Sequence, residues 1–267
     1  MSTLARWPRI VGYSAANALA DFRATYSVKT WTFGWLGRVV SQVIFFALIG
    51  RLLDSPEAAA YLLVGNAVMI AALEAMMVVA STTWERRAGT LPLLIAAPSP
   101  LAPVFVGRSL QWLPSGVATA LIALFVAGPL FGVTWSLGEG LVVALLVVVV
   151  AVTTYCFGLF LAALVLRAME WRNIISNVAY LTMMAICGVM VPVSFWPSWV
   201  QGVAQALPLT HGLRAVRRVA ADGVGSPIVL DCLLAIGIAA LWLALAAGAL
   251  RWLAEQGRRD GSIEFAS

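Results

Sequence analysis

The chain has 267 residues, 62% hydrophobic and only 11% charged, with a mean hydropathy of +0.94. A soluble domain is about 45–50% apolar and buries only about three quarters of its surface at this size, so much of this surface must face lipid. Such a balance excludes a soluble enzyme, a secreted disulfide module and a disordered tail, and the net charge of +5 suits lipid headgroups. Nucleic acid is a poor partner, because no basic stripe carries interleaved stacking aromatics.

A bilayer core of about 30 Å takes about 20 apolar residues per helix. On that length the chain predicts an all-α membrane protein with six spans. The first runs from about Leu36 to Leu53 and carries Arg38, Ser41 and Gln42 near its start. The second, Ala58 to Ala80, contains Asn66 and Glu74. The third covers Ser109 to Gly132 with Pro114 and Pro129 inside it, and the fourth runs from Gly138 to Leu166. The fifth runs from Asn173 to about Trp196 and the sixth from Pro227 to Leu253. The chain reads as a single transmembrane domain: 1–35 before the spans, 36–253 holding all six, and 254–267 as a tail.

An even number of spans puts both termini on one side. The segments on that side hold thirteen of the 17 basic residues and the opposite segments four, so the positive-inside rule makes both termini cytoplasmic. Trp35, Trp84, Trp112, Trp135, Trp171, Trp196, Trp199 and Trp252 fall near the expected span ends, where an amphipathic indole prefers to sit; Trp242 falls inside one. Cys156, Cys187 and Cys232 are isolated in apolar runs and suggest neither disulfides nor a metal site. The basic N-terminus lacks the apolar core of a signal peptide.

Three segments outside the spans are informative. Residues 14–34 read as an interfacial helix. Residues 81–109 are too long for a plain connection and are expected to have structure of their own. Residues 195–226 read as two short helices dipping into the outer interface. Within the second segment, Trp84-Glu85-Arg86-Arg87-Ala88-Gly89-Thr90-Leu91-Pro92-Leu93-Leu94 predicts a short helix, a turn at Gly89, and a second short helix capped by Thr90 with Pro92 in its first turn. A rigid charged knob joined to two spans suits contact with a soluble partner. A solvated loop is the competing reading.

That segment, with Pro98 after it, resembles the E-x-x-x-G-T-L-x-x-L pattern of ABC-2 type transporter permeases. Leu207-Pro208-Leu209-Thr210-His211-Gly212-Leu213-Arg214-Ala215-Val216-Arg217, with Pro192, Pro197 and Trp199 upstream, is similar to the family's segment before the last span. Leu207 stands where the family often has Asn, and Pro92 where it often has an acidic residue. The resemblance implies a bacterial plasma-membrane permease of an ATP-driven exporter, working with two ATPase subunits and a second permease chain, identical or related. It implies a coupling helix after span two, with Glu85, Arg86, Arg87, Gly89, Thr90, Leu91 and Leu94 toward the ATPase. No P-loop is present: the only lysine, Lys29, lacks the glycines, so ATP and Mg belong to the partner and no cofactor or metal is expected in this chain.

Polar residues inside spans are functional candidates, because lipid makes them costly. Asn66, Glu74 and Ser81 are spaced by eight and seven; Asn173, Asn177, Tyr180 and Met184 step by four, three and four, so each set shares a helical face. The resemblance implies that these faces line the pathway between protomers; interhelical hydrogen bonding is the alternative. Glu74 is expected to contact a cationic substrate or to pair with Arg38. His211 lacks partners for catalysis and reads as a turn or interface residue. Arg214, Arg217 and Arg218 share one face and are expected at the outer interface, on lipid phosphates or an emerging anionic group. The substrate is expected to be amphipathic: a drug, an antibiotic, a lipid or a lipid-linked glycan. The competing readings are an ATP-independent channel or carrier using Glu74, and an intramembrane lipid-modifying enzyme, for which no convergent catalytic set is visible.

Overall fold

The computed structural model describes residues 7–87, 89–96 and 101–260, and among these the chain forms twelve α-helices, with short π- and 3-10-helical pieces and no strand. Five helical stretches are long and apolar enough to cross a membrane: Thr30–Leu52, Pro56–Trp84, Leu101–Phe131, Leu137–Arg167 and Ser226–Gln256. They coincide with the expected spans one, two, three, four and six, each beginning one to eight residues earlier than the sequence suggested. Helix α1, Trp7–Thr25, precedes them. The interfacial helix expected over 14–34 is therefore displaced: residues 30–36 form a π-helical turn continuous with α2, Gly37–Leu52. Helix α1 packs on α6, Leu101–Ser109, where a Cβ at Gly107 would meet Ser14 and where Arg108 pairs with Asp21 at 2.8 Å.

Span two is not one rod. Helix α3, Pro56–Ala75, starts at the Ser55 N-cap, whose side chain accepts from the Ala58 N–H, and stops at a tight turn over Met76 and Met77. There Met77 N–H donates to Glu74 C=O at 3.0 Å and Val79 N–H to Met76 C=O at 3.1 Å, three residues back rather than four. Helix α4, Val78–Arg87, continues, followed by Gly89 at φ 69° and by α5, Leu91–Ala96. Span three is also broken: α6 ends at Ser109 and α7 runs Trp112–Ile122, because Pro114 has no N–H for the Leu110 carbonyl and its ring crowds that turn.

The longest buried run lies in α3, which passes through the middle of the molecule between α2, α7 and α8, Leu137–Arg167. Small residues permit this: Ala59 touches the site of Gly50, and Gly116 of α7 sits on Glu74. Helix α8 starts at a capping box in which Ser136 and Glu139 satisfy each other's backbone N–H. Helix α12, Ser226–Asp260, lies against α8, with Trp242 between Phe157 and Phe160 at 4.9 and 5.0 Å centroid separation.

The expected fifth span differs most from the sequence reading. Helix α9, Arg172–Ile186, has 15 residues, about 22 Å at 1.5 Å per residue, short of a full crossing. Gly188 at φ 88° ends it, a conformation that side chains with a Cβ resist, and Pro192 blocks its resumption. After it come α10, Ser198–Gln205, and α11, Pro208–Asp222, the two short helices expected between spans five and six.

Candidate functional site

At the Gly89 end, Leu91 is buried in a cluster with Leu101, Phe105, Leu166 and Leu250, with Leu94 against it. The α5 segment is thus fastened to α6, α8 and α12. Gly89 supplies the left-handed corner between α4 and α5, and nothing lies within 4 Å of where its Cβ would be. Thr90 C=O accepts from Leu94 N–H at 3.1 Å, opening the second helix where the sequence placed it. The side chains of Glu85, Arg86, Arg87 and Pro92 lie outside the described residues.

In α3 the three polar residues have separate surroundings. Glu74 is fully enclosed. Its Oε1 accepts from the Trp35 indole at 2.8 Å, and Oε2 has no hydrogen-bond partner beside Ser115 and Thr119 of α7. No ion pair joins Arg38 to Glu74 among the described residues: the Arg38 guanidinium lies over the Trp35 ring, 5.0 Å from the centroid. Four residues earlier on the same π-helical turn, Trp31 donates to Ser115 Oγ at 3.0 Å. Asn66 donates to Leu62 C=O at 2.8 Å and approaches Met190 Sδ at 3.6 Å. Ser81 Oγ donates to the carbonyls of Met77 and Val78 at 3.2 Å. The turn at Met76–Met77 falls between Glu74 and Ser81, so the spacing of seven does not run along one unbroken helix.

The α9 stripe divides differently. Asn173 and Asn177 are exposed, with Ile174, Val178 and Leu181 more than half exposed next to them. Tyr180 Oη accepts from Gln42 Nε2 of α2 at 3.2 Å, and Met184 is half-buried against the core. This side of the molecule leaves uncovered apolar surface on both α9 and α2, where Phe45 and Leu48 are also exposed.

The three arginines of α11, expected at the outer interface, each have partners within the protein. Asp231 of α12, itself buried, pairs with Arg218 at 3.0 Å and Arg214 at 3.5 Å. Arg218 also donates to Pro227 C=O at 3.1 Å and Arg214 to Gln205 Oε1 at 3.0 Å. Arg217 stacks on Tyr61, 3.4 Å from the ring centroid, and donates to the carbonyls of Gly188, Val189 and Tyr61. Tyr61 Oη also donates to Gly188 C=O at 2.9 Å. Ending α9 at Cys187 strands backbone carbonyls in apolar surroundings, and Arg217 answers them. His211 is buried with its Nε2 2.9 Å from Gln205 C=O, which makes that nitrogen the N–H donor and places the residue at the α10–α11 corner. Thr210 Oγ1 donates to Ala204 C=O at 2.5 Å across the same corner.

Trp242, near the middle of α12, donates to Ala206 C=O at 2.9 Å. With Arg218 beside Pro227 at the start of α12, α11 lies along half of that helix, and the α10–α11 corner is about 24 Å along it from Ser226. Trp112, the first residue of α7, is buried, edge-on to Phe22, Tyr26 and Trp84.

Sequence spacing alone did not connect Tyr61, Trp35 or Asp231 to their partners. A carboxylate within an apolar run, opposite an arginine face thirteen residues upstream, was the available signal for Asp231. Among curated proteins, no relative matches the chain. The family model described as ABC-2 type transporter matches residues 18–220, and the chain belongs to that family: it is a multi-pass membrane subunit of an ABC transporter.

Proposed function

We propose that the chain is the permease of an ATP-driven exporter, a single transmembrane domain in the bacterial inner membrane that works as a pair with two ATPase subunits. ATP and Mg belong to those subunits. The observation that carries this reading is the seating of α5: the helix that follows the Gly89 corner is fastened through Leu91 to α6, α8 and α12. A push delivered at that corner reaches three spanning stretches at once. Glu85, Arg86, Arg87, Gly89 and Thr90 meet the ATPase, while Leu91 and Leu94 carry the displacement inward.

In this reading α9 with residues 187–190 is the fifth of six crossings, completed by non-helical backbone held by Arg217. Both termini are cytoplasmic. The α10–α11 corner is a re-entrant hairpin, which the Trp242–Ala206 hydrogen bond near the middle of α12 supports. The exposed faces of α9 and α2 meet the second permease, and Asn173, Asn177, Tyr180 and Met184 line the seam along which an amphipathic drug, antibiotic, lipid or lipid-linked glycan passes. Glu74, Asn66 and Ser81 act from behind that surface. A channel or carrier using Glu74 gains nothing from the geometry, because the carboxyl group is fully enclosed.

The test is co-reconstitution with the ATPase subunit. Glu85→Ala is expected to leave assembly intact and to lower transport per ATP hydrolysed; unchanged coupling rejects the role of this corner.

A further inference from the structure

Beyond its family role, the chain has an unassigned cleft of about 430 Å³ at the Tyr61 end. It is walled by Glu57 and Tyr61 of α3, the 132–135 loop, and Arg217, Ala220 and Ala221 of α11. A second opening, on the other side of Tyr61 and Arg217, shares Ala221.

Three observations point to an anion. Arg214 and Arg218 share the single carboxylate of Asp231, whereas among the described residues Arg217 meets carbonyl oxygens and the Tyr61 ring and no carboxylate. Arg217 Nε and Trp135 Nε1 are both buried donors with no acceptor, and both residues belong to the walls of this cleft. A phosphate oxygen is the acceptor such donors favour, since charge-assisted hydrogen bonds are the strong ones in a low-dielectric setting.

A fourth observation identifies the source of that phosphate. Val133, Thr134 and Trp135 also line an apolar groove of about 470 Å³ with Phe125, Leu141 and Ala144. Leu130, Leu137 and Leu141 are largely exposed around it, as residues that face acyl chains are. The polar cleft and the apolar groove thus meet along one loop.

We propose that the Tyr61–Trp135–Arg217 cleft binds phosphatidylglycerol, with its phosphate toward Arg217 and Trp135 and one acyl chain in the Phe125–Leu141 groove. Glu57 and Thr134 supply acceptors for the glycerol hydroxyls. Assignment to the outer leaflet rests on the proposed orientation; the binding itself does not.

The experiment uses the full chain in phosphatidylcholine vesicles with phosphatidylglycerol in both leaflets, extracted gently and weighed by native mass spectrometry. Phosphatidylglycerol is expected to be retained in preference to phosphatidylcholine. Ala220→Trp, at a wall residue that does not also line the second opening, fills the cleft and is expected to lower that retention by about fivefold, and Trp135→Phe, which removes one donor, by about twofold. Equal retention of the two lipids overturns the proposal, as does retention unchanged in both variants. Displacement by millimolar inorganic phosphate also overturns it, since the cleft would then read free phosphate and not a lipid.

Discussion

The Trp35 indole N–H donates to Glu74 Oε1 at 2.8 Å, joining the first span to the most buried helix of the molecule, while Arg38 rests over the face of the same ring. Replacing Trp35 by Phe leaves the ring and removes the donor, so Oε1 of an enclosed carboxyl group loses its hydrogen bond from the indole. The cost is about 1–3 kcal/mol. Glu74→Gln keeps an acceptor for Trp35 and is expected to cost less. Thermal unfolding in detergent checks the order: a Glu74→Gln variant less stable than Trp35→Phe contradicts it.

Asp231 faces two arginines, and this predicts non-additive losses. Either Arg214→Ala or Arg218→Ala leaves one cation on the buried carboxylate, and each costs about 1 kcal/mol because both arginines are about one-third exposed. The double variant strands Asp231 and is expected to lose clearly more than the sum of the single losses. A double-mutant cycle on unfolding free energy measures the excess; simple additivity would show that the two pairs act independently.

The glycines separate by what surrounds them. A Cβ at Gly65 would strike Val189 C=O and lie 2.7 Å from Arg217, so Gly65→Ala is expected to displace the 187–190 backbone and destabilise the chain. Gly237 of α12 has nothing within 4 Å, and Gly237→Ala is expected to add about 0.5–1 kcal/mol through helix propensity alone. Opposite signs in unfolding temperature are the expected outcome.

At the charged corner, Gly89 has a φ of 69° in open space, so Gly89→Ala introduces backbone strain of about 1–2 kcal/mol and no steric clash. Leu91→Ala instead opens the cluster beneath. Both are expected to lower transport per ATP in the reconstituted complex, and only Leu91→Ala to lower the chain's own stability substantially. Equal stability losses would place Gly89 in the core of the fold and not at its moving edge.

If α9 faces the second permease, Val178→Cys and Leu181→Cys, both on exposed apolar positions, form disulfide-linked dimers under mild oxidation. The comparison position is Leu243 on α12, also exposed, where Cys is expected to stay monomeric. Cross-linking at Leu243 alone would move the interface to the other side of the molecule.

Much of this architecture was legible in the sequence, and the failures have definite causes. Runs of apolar residues located five of the crossing stretches, and Gly89 and Thr90 marked the punctuated segment after span two. Hydropathy averages over helical and irregular backbone alike, so 173–196 read as one span although Gly188 and Pro192 interrupt it. Spacing arguments assume an unbroken helix, which Met76–Met77 is not. The arginines of α11 looked unpaired because Asp231 lies on the next helix, and Tyr61 lies 156 residues from Arg217. Such pairings belong to the tertiary fold and leave no local pattern.

The turn at Met76–Met77 divides span two where α8 comes closest. A Cβ at Gly158 would stand 2.7 Å from Val78 Cγ1 and 3.4 Å from Met76 Cα, so the glycine lets α8 bear directly on the joint. The two halves of the span then behave as arms meeting at a fulcrum. On the proposed coupling role, force applied to α4 would be turned sideways into α8 at Gly158, while the long buried arm, with Glu74 and Asn66, keeps its seat.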